Sequence, residues 1–344
     1  MRCLLKSKQR ERLKSVPRII KCAMAWPTRR WKNQEALDEG GQAWTFIVRR
    51  AASSDPRLYV LKRLKNKDRL ARFNKEINTL RKLLHPGIVQ IVDTSSPEEE
   101  PFYVAEYCEK RDLSKIDLSK KSLLEKLYVF QEICDAVGAA HAANIIHRDL
   151  KPPNILIRGN DSIAVGDFGL CLDLTDIEER ASASSEVIGA RHYIAPELED
   201  GRVSDLNPSS DCYSLGKVLY YLFGGRSFAR ERHKDDVYDL RTRHPDLYIH
   251  FVYQLLDKTI LTEPTARFQN AKELLGAVEQ ATMKIEQNAH VLDMKVPQHC
   301  LYCIAGKYQL WVSETDGARL KCIDCGNIQF FSIPLGANQW WKPR

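Results

Sequence analysis

The sequence of 344 residues predicts an α+β protein with two lobes, the first rich in strands and the second helical, followed by a small cysteine-bearing β module. Three observations predict this class. Short β-forming segments lie within residues 44–64. Apolar residues then recur at helical spacing from Leu70 onward. Two Cys-x-x-Cys pairs lie near the C-terminus, where strand-like segments return.

The first lobe is predicted to consist mainly of strands. WTFIV at 44–48 and LYVLKRL at 58–64 are rich in β-formers, and SSDP at 53–56 separates them as a turn. Further strand-like segments lie at 88–92 and 102–107. This order favours a sheet of short strands in the first third of the chain.

Helices are predicted wherever apolar residues are spaced by three and four. The first such stripe is Leu70, Phe73, Ile77, Leu80 and Leu84, and the second is Leu123, Leu127, Phe130, Cys134 and Val137. Residues from about 145 to 200 are loop-like, with short apolar strands at 155–157 and 163–165. From 208 to about 285 the pattern is mainly helical.

Charge is unevenly distributed along the chain. The net charge is +7, but residues 1–32 contain eleven Lys/Arg and one acid, Glu11, so this segment carries +10 and the remainder −3. We interpret the basic segment as a solvated, flexible leader; contact with nucleic acid or acidic lipid, or a true start at Met24, are the alternatives. The predicted divisions are a basic extension, a two-lobed domain, a linker and a C-terminal module, at 1–32, 33–285, 286–298 and 299–344.

Composition and cysteine usage indicate a globular protein of a reducing compartment. The chain is 44% hydrophobic and 28% charged, as in ordinary globular proteins. It has no apolar run long enough for a transmembrane helix or a signal peptide. Six of the ten cysteines are scattered singly, which is typical of a chain without disulfides. We therefore expect a cytoplasmic location.

Residues 147–154 read His-Arg-Asp-Leu-Lys-Pro-Pro-Asn and resemble the catalytic loop of protein kinases, H-R-D-L-x-x-x-N. Asp167-Phe168-Gly169 and Ala195-Pro196-Glu197 follow in the order and at the spacing of that family. The resemblance covers roughly residues 33–283 and extends to bacterial kinases of the eukaryotic (Hanks) type. It implies the two-lobe protein kinase fold, with a β-rich first lobe and a helical second lobe.

The resemblance also implies the chemistry of the catalytic loop. Asp149 is expected to accept the proton of the attacking hydroxyl, and Lys151 to hold the γ-phosphate. Asn154 and Asp167 are expected to supply oxygens to Mg²⁺, which bridges the phosphates of ATP. In the family, a lysine at the position of Lys151 marks the serine/threonine class, so protein substrates are implied.

Lys62 closes a segment, Val60-Leu61-Lys62, that resembles the V-A-I-K strand of the family. The resemblance implies that Lys62 pairs with the α- and β-phosphates of ATP. Its expected partner is Glu76, which lies on the first helical stripe between Phe73 and Leu80.

The resemblance also implies where the nucleotide base and the ribose bind. Residues 103–108 resemble the segment that joins the two lobes in the family. Backbone groups of Glu106 and Cys108 are expected to bond the adenine edge, and Asp112 is expected to reach the ribose.

The phosphate-binding glycine loop departs from the family pattern G-x-G-x-x-G-x-V. Gly40 is the middle glycine and Gly41 adds a second, while Asp38 and Ala43 replace the other two. The assignment depends on the distance to Lys62. The substitutions predict a modest affinity for ATP.

Two further charged residues fit the frame of the family. Asp211, in SDCYSLG, resembles the buried helix acid that braces the catalytic loop. Arg267, in TARFQNAKELL, resembles the late arginine that pairs with the glutamate of Ala-Pro-Glu, here Glu197.

The segment between Asp167 and Glu197 predicts regulation by phosphorylation. Arg148 precedes the catalytic aspartate, and in the family such an arginine can pair with a phosphate on the activation loop. Ala190 lacks the hydroxyl that the family has at its position. We expect autophosphorylation at one or more of the hydroxyl residues Thr175, Ser182, Ser184 and Ser185.

Cys300, Cys303, Cys322 and Cys325 form two Cys-x-x-Cys pairs separated by 18 residues. This spacing lies within the zinc pattern C-x2-C-x15–20-C-x2-C, and strand-like segments surround it. Four thiolates make a closed tetrahedral site, so a structural zinc ribbon is predicted, with two disulfides as the alternative. The module lacks a basic stripe, which favours a protein partner over nucleic acid.

Three alternatives to an active protein kinase differ in class. A pseudokinase scaffold would bind partners without catalysis, and the altered glycine loop and Ala190 favour it, whereas Lys62, Asp149 and Asp167 oppose it. A small-molecule kinase of the aminoglycoside type would lack the Ala-Pro-Glu segment. A nucleic-acid-binding zinc ribbon would explain only the C-terminal module.

Overall fold

A computed structural model of the chain describes residues 26, 28–37, 43–173, 192–200, 206–242, 248–292, 308–313, 317–322, 325 and 328–331. The chain divides into two compact units. The first comprises Met1–Asn74 and Gln90–Tyr107, and the second comprises Lys75–Val89 and Cys108–Arg344. No helix in the described ranges is both long enough and apolar enough to cross a membrane.

The first unit contains an antiparallel five-stranded sheet in the order β1-β2-β3-β5-β4. The helix α1, Leu70–Lys82, begins in this unit, after a 3₁₀ turn at Lys67–Arg69. The strands are β1 (Trp31–Ala36), β2 (Ala43–Arg50), β3 (Tyr59–Leu64), β4 (Ile91–Thr94) and β5 (Phe102–Glu106).

Alternation along these strands sends one set of side chains into an apolar core, because successive residues of a strand point to opposite faces. The core members are Trp31, Phe46, Val48, Tyr59, Leu61, Phe102 and Val104. Lys62 is adjacent to Leu61 in β3 and pairs with Thr45 of β2 and Tyr103 of β5. Lys62 is therefore directed to the face opposite this core.

The last residues of the segment assigned to the basic N-terminal extension pack on the sheet. β1 begins at Trp31, inside the segment assigned to the extension. The Trp26 ring meets Phe46 edge-on at 5.3 Å, and Trp26 Nε1 donates to the Trp31 carbonyl at 2.6 Å. Arg30 bonds Asp93 Oδ1 at 2.5 Å and Glu99 Oε2 at 2.7 Å. Residues 1–25 lie outside the described residues.

The second unit is mainly helical in its described part. α2 begins with a capping box in which Ser122 and Glu125 bond each other's backbone N–H groups. After α1, the helices are α2 (Leu123–Ala142), α3 (Pro196–Glu199), α4 (Ser209–Gly224), α5 (Ile249–Thr259) and α6 (Ala271–Leu292). Short 3₁₀ helices occur at Leu113–Lys115, Pro152–Asn154, Phe168–Leu170, Arg232–Lys234, Leu240–Thr242 and Pro264–Ala266.

α4 is the central helix of the second unit, and every residue from Ser209 to Tyr220 is buried. A helix that is buried on all sides must have its polar side chains hydrogen-bonded, and α4 contains both Asp211 and Lys217. Gly216 allows α5 to approach, because a Cβ at this position would lie 2.3 Å from Thr259 Oγ1. Two small antiparallel two-stranded sheets complete this part of the unit: β6 (Ile145–Ile146) pairs with β9 (Leu172–Asp173), and β7 (Ile155–Ile157) forms a hairpin with β8 (Ile163–Val165).

The C-terminal region differs from prediction at the linker. α6 continues to Leu292, so the first half of the segment 286–298 is helical. Beyond it lies an antiparallel sheet in the order β10-β11-β12, with β10 at Tyr308–Ser313, β11 at Gly317–Cys322 and β12 at Ile328–Phe331. β11 is a strand that the sequence interpretation did not place.

Candidate active site

The catalytic loop is anchored by Asp211, a fully buried residue of α4. Its Oδ2 accepts the backbone N–H of His147 at 2.7 Å, and its Oδ1 accepts the backbone N–H of Arg148 at 2.9 Å. His141 Nε2 donates to the same carboxylate at 2.9 Å, since His141 Nδ1 accepts the N–H of Ala271. The predicted brace of the catalytic loop is thereby confirmed.

The electrostatics of Asp211 follow from these bonds. Burial alone would raise the pKa of this carboxyl, but the hydrogen bond and charge of His141, together with His147, lower it below its ordinary value. The carboxylate therefore stays ionised, which maintains its hold on the loop.

His147 connects the catalytic loop with the Asp-Phe-Gly segment. Its Nε2 donates to the Gly166 carbonyl at 3.0 Å, and its Nδ1 accepts the N–H of Asp149 at 3.3 Å. The ring packs on Phe168 with centroids 4.5 Å apart. Both His147 and Phe168 are buried, so the backbone before Asp167 is fixed relative to Asp149.

Asp149 lies buried between Lys151 and Asn154. Its Oδ2 accepts Lys151 Nζ at 2.7 Å and Asn154 Nδ2 at 3.0 Å. Asn154 Nδ2 also donates to the Asp149 carbonyl at 2.8 Å. Within the described part of the chain, Asp149 Oδ1 is buried and has no hydrogen-bond partner. Asp149 Oδ1 is therefore a hydrogen-bond acceptor whose orientation is set by the two bonds to Oδ2 of the same carboxylate.

The β7–β8 hairpin brings Asn154 and Asp167 to the same end. Asn154 immediately precedes β7, and Asp167 follows β8 after Gly166. The two strands pair with Ile155 opposite Val165, and the Gly166 N–H bonds the Asn154 carbonyl at 2.9 Å. Asp167 adopts a left-handed backbone conformation with φ 60° and is exposed. Among residues other than glycine, aspartate is one that tolerates this region.

Residues after Asp-Phe-Gly are tied to α1 within the second unit. Thr79 Oγ1 and Cys171 Sγ lie 3.3 Å apart, and Lys75 Nζ donates to the Cys171 carbonyl. Glu76 is buried at 3% exposure, and its Oε2 lies 3.5 Å from where a Cβ on Gly169 would be. Glu76 therefore lies beside the Asp-Phe-Gly segment.

Glu197 and Arg267 form a fully buried bidentate ion pair with both N···O distances at 2.8 Å, which confirms the predicted pairing. Ser210 Oγ donates to Glu197 Oε1 at 2.7 Å. Burial would raise the pKa of Glu197, but Arg267 and Ser210 together lower it. The ion pair fixes α3 to the segment between the 3₁₀ helix Pro264–Ala266 and α6.

Three other residues predicted to bind the nucleotide, Glu106, Cys108 and Asp112, are buried or hydrogen-bonded within their own units. In the first unit, the Glu106 side chain accepts the N–H of Gln90 at 3.1 Å, and the Glu106 N–H bonds the Gln90 carbonyl at 3.1 Å. In the second unit, Cys108 is buried, and Asp112 caps a 3₁₀ turn by accepting the Ser114 N–H at 2.9 Å. Capping uses Oδ1 of Asp112, which the sequence interpretation had assigned only to the ribose.

Several predicted site residues lie outside the described residues. They are Gly40, Gly41, Cys300 and Cys303, together with Ala190 and the hydroxyls Thr175, Ser182, Ser184 and Ser185. Cys322 ends β11 and Cys325 is exposed in the turn before β12. Within the described ranges, no three His, Cys, Asp or Glu side chains are grouped to hold a metal.

A profile of the protein kinase domain matches residues 31–283. This chain belongs to the protein kinase family. The chain is similar to the serine/threonine-protein kinase PknB of Mycolicibacterium smegmatis, with 30% identity over 246 residues, or 66% of this chain and 37% of the relative. It is also similar to PknB of Mycobacterium tuberculosis, with 29% identity over 243 residues, or 66% and 37% of the two chains.

A probable serine/threonine-protein kinase of Clostridium perfringens is 28% identical over 269 residues, or 73% of this chain and 38% of that protein. The chain thus spans less than two fifths of the length of these curated relatives. The similarity to bacterial members of the family agrees with the resemblance of the catalytic loop. The family profile ends at residue 283, before the C-terminal module.

Two buried contacts of the second unit were not predicted from the sequence. His141 stabilises Asp211 across 70 positions of the chain, and a histidine on a helix gives no local sign of such a partner. Lys217 is a buried lysine in α4, and the helical periodicity around it identifies only a core position. In both cases the sequence indicates a buried helix position but not the partner of the side chain.

Proposed function

We propose that the chain is a serine/threonine protein kinase that transfers the γ-phosphate of ATP to hydroxyls of proteins. The observation that carries the proposal is Asp149, a buried carboxylate with one oxygen bonded by Lys151 and Asn154 and the other available as an acceptor. Membership of the protein kinase family and the two PknB relatives support this activity.

The arrangement gives Asp149 the role of general base. The hydroxyl oxygen of the substrate attacks the γ-phosphorus, the bond to the ADP oxygen breaks, and the hydroxyl proton passes to Asp149 Oδ1. Lys151 lies 2.7 Å from Asp149 Oδ2, and its other N–H groups can bind a phosphate oxygen. Lys151 thereby stabilises negative charge next to the base.

Asn154 and Asp167 fit a magnesium ion by the chemistry of their donors. Asn154 uses its Nδ2 on Asp149, which leaves the amide oxygen as a ligand. Asp167 supplies a carboxylate at the same end of the β7–β8 hairpin. Mg²⁺ prefers such oxygens and, when bound with ATP, neutralises charge on the phosphates.

The nucleotide-binding roles carry over from the resemblance as part of this proposal. Lys62 is assigned to the α- and β-phosphates and Glu76 to support of that lysine. The base and the ribose are assigned to Glu106, Cys108 and Asp112. Gly40 and Gly41 are assigned to the loop over the phosphates.

The test is phosphate transfer from labelled ATP, with magnesium, to the chain itself and to a basic histone. Asp149→Asn and Asp167→Asn are the variants, and Asp161→Asn, at an exposed turn, is the matched control. Wild type and control should form phosphoserine or phosphothreonine, and Asp149→Asn should lose about 10²–10⁴-fold in rate. If none of the four folded proteins transfers phosphate although each binds ATP, the result would support the pseudokinase alternative.

We also propose that Cys300, Cys303, Cys322 and Cys325 bind one structural zinc ion. The spacing of the pairs supports this, as does the position of Cys322 and Cys325 around the β11–β12 turn. Metal analysis of the purified chain should give one zinc per protein, and Cys322→Ser with Cys325→Ser should abolish it. Zinc-free protein with oxidised thiols would support the disulfide alternative.

A further inference from the structure

Lys217 is a buried lysine of α4 that the proposed chemistry does not use. Its side chain is 2% exposed, and its Nζ donates to the carbonyls of Phe228 at 2.9 Å and Arg230 at 2.5 Å. The Nζ also lies 3.6 Å from the centroid of the Phe228 ring. Because a buried amine is costly unless it is hydrogen-bonded, the backbone after α4 is shaped to satisfy this group.

The segment that Lys217 holds, residues 225–231, is here named the α4 loop. Gly225 and Arg230 both have left-handed backbone conformations, with φ of 63° and 51°. Such a conformation is unfavourable for arginine and persists only where surrounding contacts impose it. Lys217 binds the carbonyl of this same arginine, and Tyr213 of α4 donates to Glu231 at 3.3 Å.

The α4 loop in turn contacts the segment that contains Ala195-Pro196-Glu197. Ser227 Oγ and His192 Nδ1 lie 2.9 Å apart, on one side of α3. Arg230 pairs with Glu199 and Asp200, each at 3.1 Å, at the other end of α3. The α4 loop therefore contacts both ends of residues 192–200, which correspond to the end of the activation segment in the kinase family.

We propose that Lys217 is a positioning residue for the protein substrate: it shapes the α4 loop, which holds residues 192–200 through Ser227 and Arg230. The proposal rests on the proposed kinase function, in which the activation segment carries the substrate. In the part of the chain that the structure describes, the contacts of Lys217 are with Tyr213, Phe228 and Arg230, not with Asp149, Asn154 or Asp167. We therefore expect Lys217 to affect the KM for the protein substrate and not the KM for ATP.

Hydrogen exchange tests the positioning without any catalysis. The amides of Leu198, Glu199 and Asp200 bond the carbonyls of Ala195 and Pro196 and report on α3. Lys217→Met should speed their exchange about tenfold, the effect of losing one or two buried hydrogen bonds. Arg230→Met should speed it about two- to fivefold, as expected for partly exposed ion pairs. Arg232→Met is the matched control, because Arg232 pairs with Asp235 and should leave α3 unchanged.

Kinetics tests the consequence for the substrate. In transfer to histone, Lys217→Met and Arg230→Met should raise the KM for histone about two- to fivefold, with the KM for ATP unchanged. The double variant should be no worse than Lys217→Met alone, because both changes release the same segment.

The outcomes separate this proposal from the kinase function. A wild type that transfers no phosphate overturns the kinase function, and the exchange rates then decide the positioning alone. Unchanged exchange at Leu198–Asp200, an equal rise in both KM values, or an additive double variant would each overturn the role of Lys217. If Lys217→Met does not fold, the exposed Arg230→Met variant decides the same question.

Discussion

Helix α4 carries two buried ionisable side chains, one acidic and one basic, and each organises the backbone of a different loop. Asp211 accepts N–H groups of the catalytic loop, whereas Lys217 donates to carbonyls of the α4 loop. Among the residues that the structure describes, neither of the two is a hydrogen-bond partner of the other. A buried ionisable group in this protein thus fixes a neighbouring backbone, and its capacity to accept or to donate determines which backbone groups it orders.

Glu197 and Arg267 represent the other solution, in which two buried charges satisfy each other. Arg267→Met should lower the free energy of unfolding by about 3–5 kcal/mol, because it leaves the Glu197 carboxylate buried without its cation. Denaturant unfolding measures this loss. The double variant Glu197→Gln with Arg267→Met should recover most of it, and a single-variant loss below about 1 kcal/mol would contradict the argument.

The acid on α4 is expected to matter more for stability than the lysine. Asp211→Asn should lower the free energy of unfolding by about 3 kcal/mol, since the amide leaves at least one buried N–H unsatisfied. Lys217→Met should lower the free energy of unfolding by about 1–2 kcal/mol, because a buried carbonyl without a donor costs less than a buried N–H without an acceptor. The two losses should add in the double variant, as they concern separate loops. Strong non-additivity would show that the loops are not independent.

The pH dependence of stability should differ between the two charges. The pKa of Asp211 is lowered in the folded protein, so its contribution is present above about pH 4 and is lost as pH falls further. Burial lowers the pKa of Lys217 from 10.5 to about 7, with the charge of Glu231 opposing. The unfolded chain then binds more protons between those two values, so the free energy of unfolding rises with pH there. Denaturant midpoints across pH should show this alkaline rise in wild type and not in Lys217→Met.

The segment before β1 is anchored to the first unit near its surface, and we expect each of its contacts to contribute less to stability than the buried groups of α4. Trp26→Ala should lower the free energy of unfolding by about 1–2 kcal/mol, through loss of the ring contact with Phe46 and the bond to Trp31. Denaturant unfolding measures this loss, and an unchanged free energy of unfolding in Trp26→Ala would contradict the structural role of this residue.

Local patterns predicted most of the fold correctly. The helical stripes placed α1 and α2 within a few residues, and β7 and β8 occupy the predicted segments 155–157 and 163–165. Boundaries that depend on tertiary packing were missed. Trp26 packs on the sheet through the Phe46 ring and the Trp31 carbonyl, and α6 continues past residue 286 because no proline or glycine ends it there.

The candidate site was predictable where residues close in sequence carry the chemistry. The catalytic loop and the Asp-Phe-Gly segment fixed the expectation for Asp149 and Asp167, and the structure shows how His147 connects them. The lysine anchor was not predictable, because Lys217 binds carbonyls of residues 228 and 230, which any residue type supplies. Backbone partners leave no residue-specific pattern in a sequence.

Intact-mass measurement of the chain after incubation with magnesium and ATP tests the central claim, that Asp149 serves an active kinase. The wild type should gain whole phosphate increments, and Asp149→Asn, incubated alone, should gain none. Added to wild type as a substrate, the Asp149→Asn chain should acquire phosphate if transfer occurs between molecules. An unchanged wild-type mass after long incubation, in folded protein that binds ATP, would contradict the account, as would equal phosphate gain by Asp149→Asn alone.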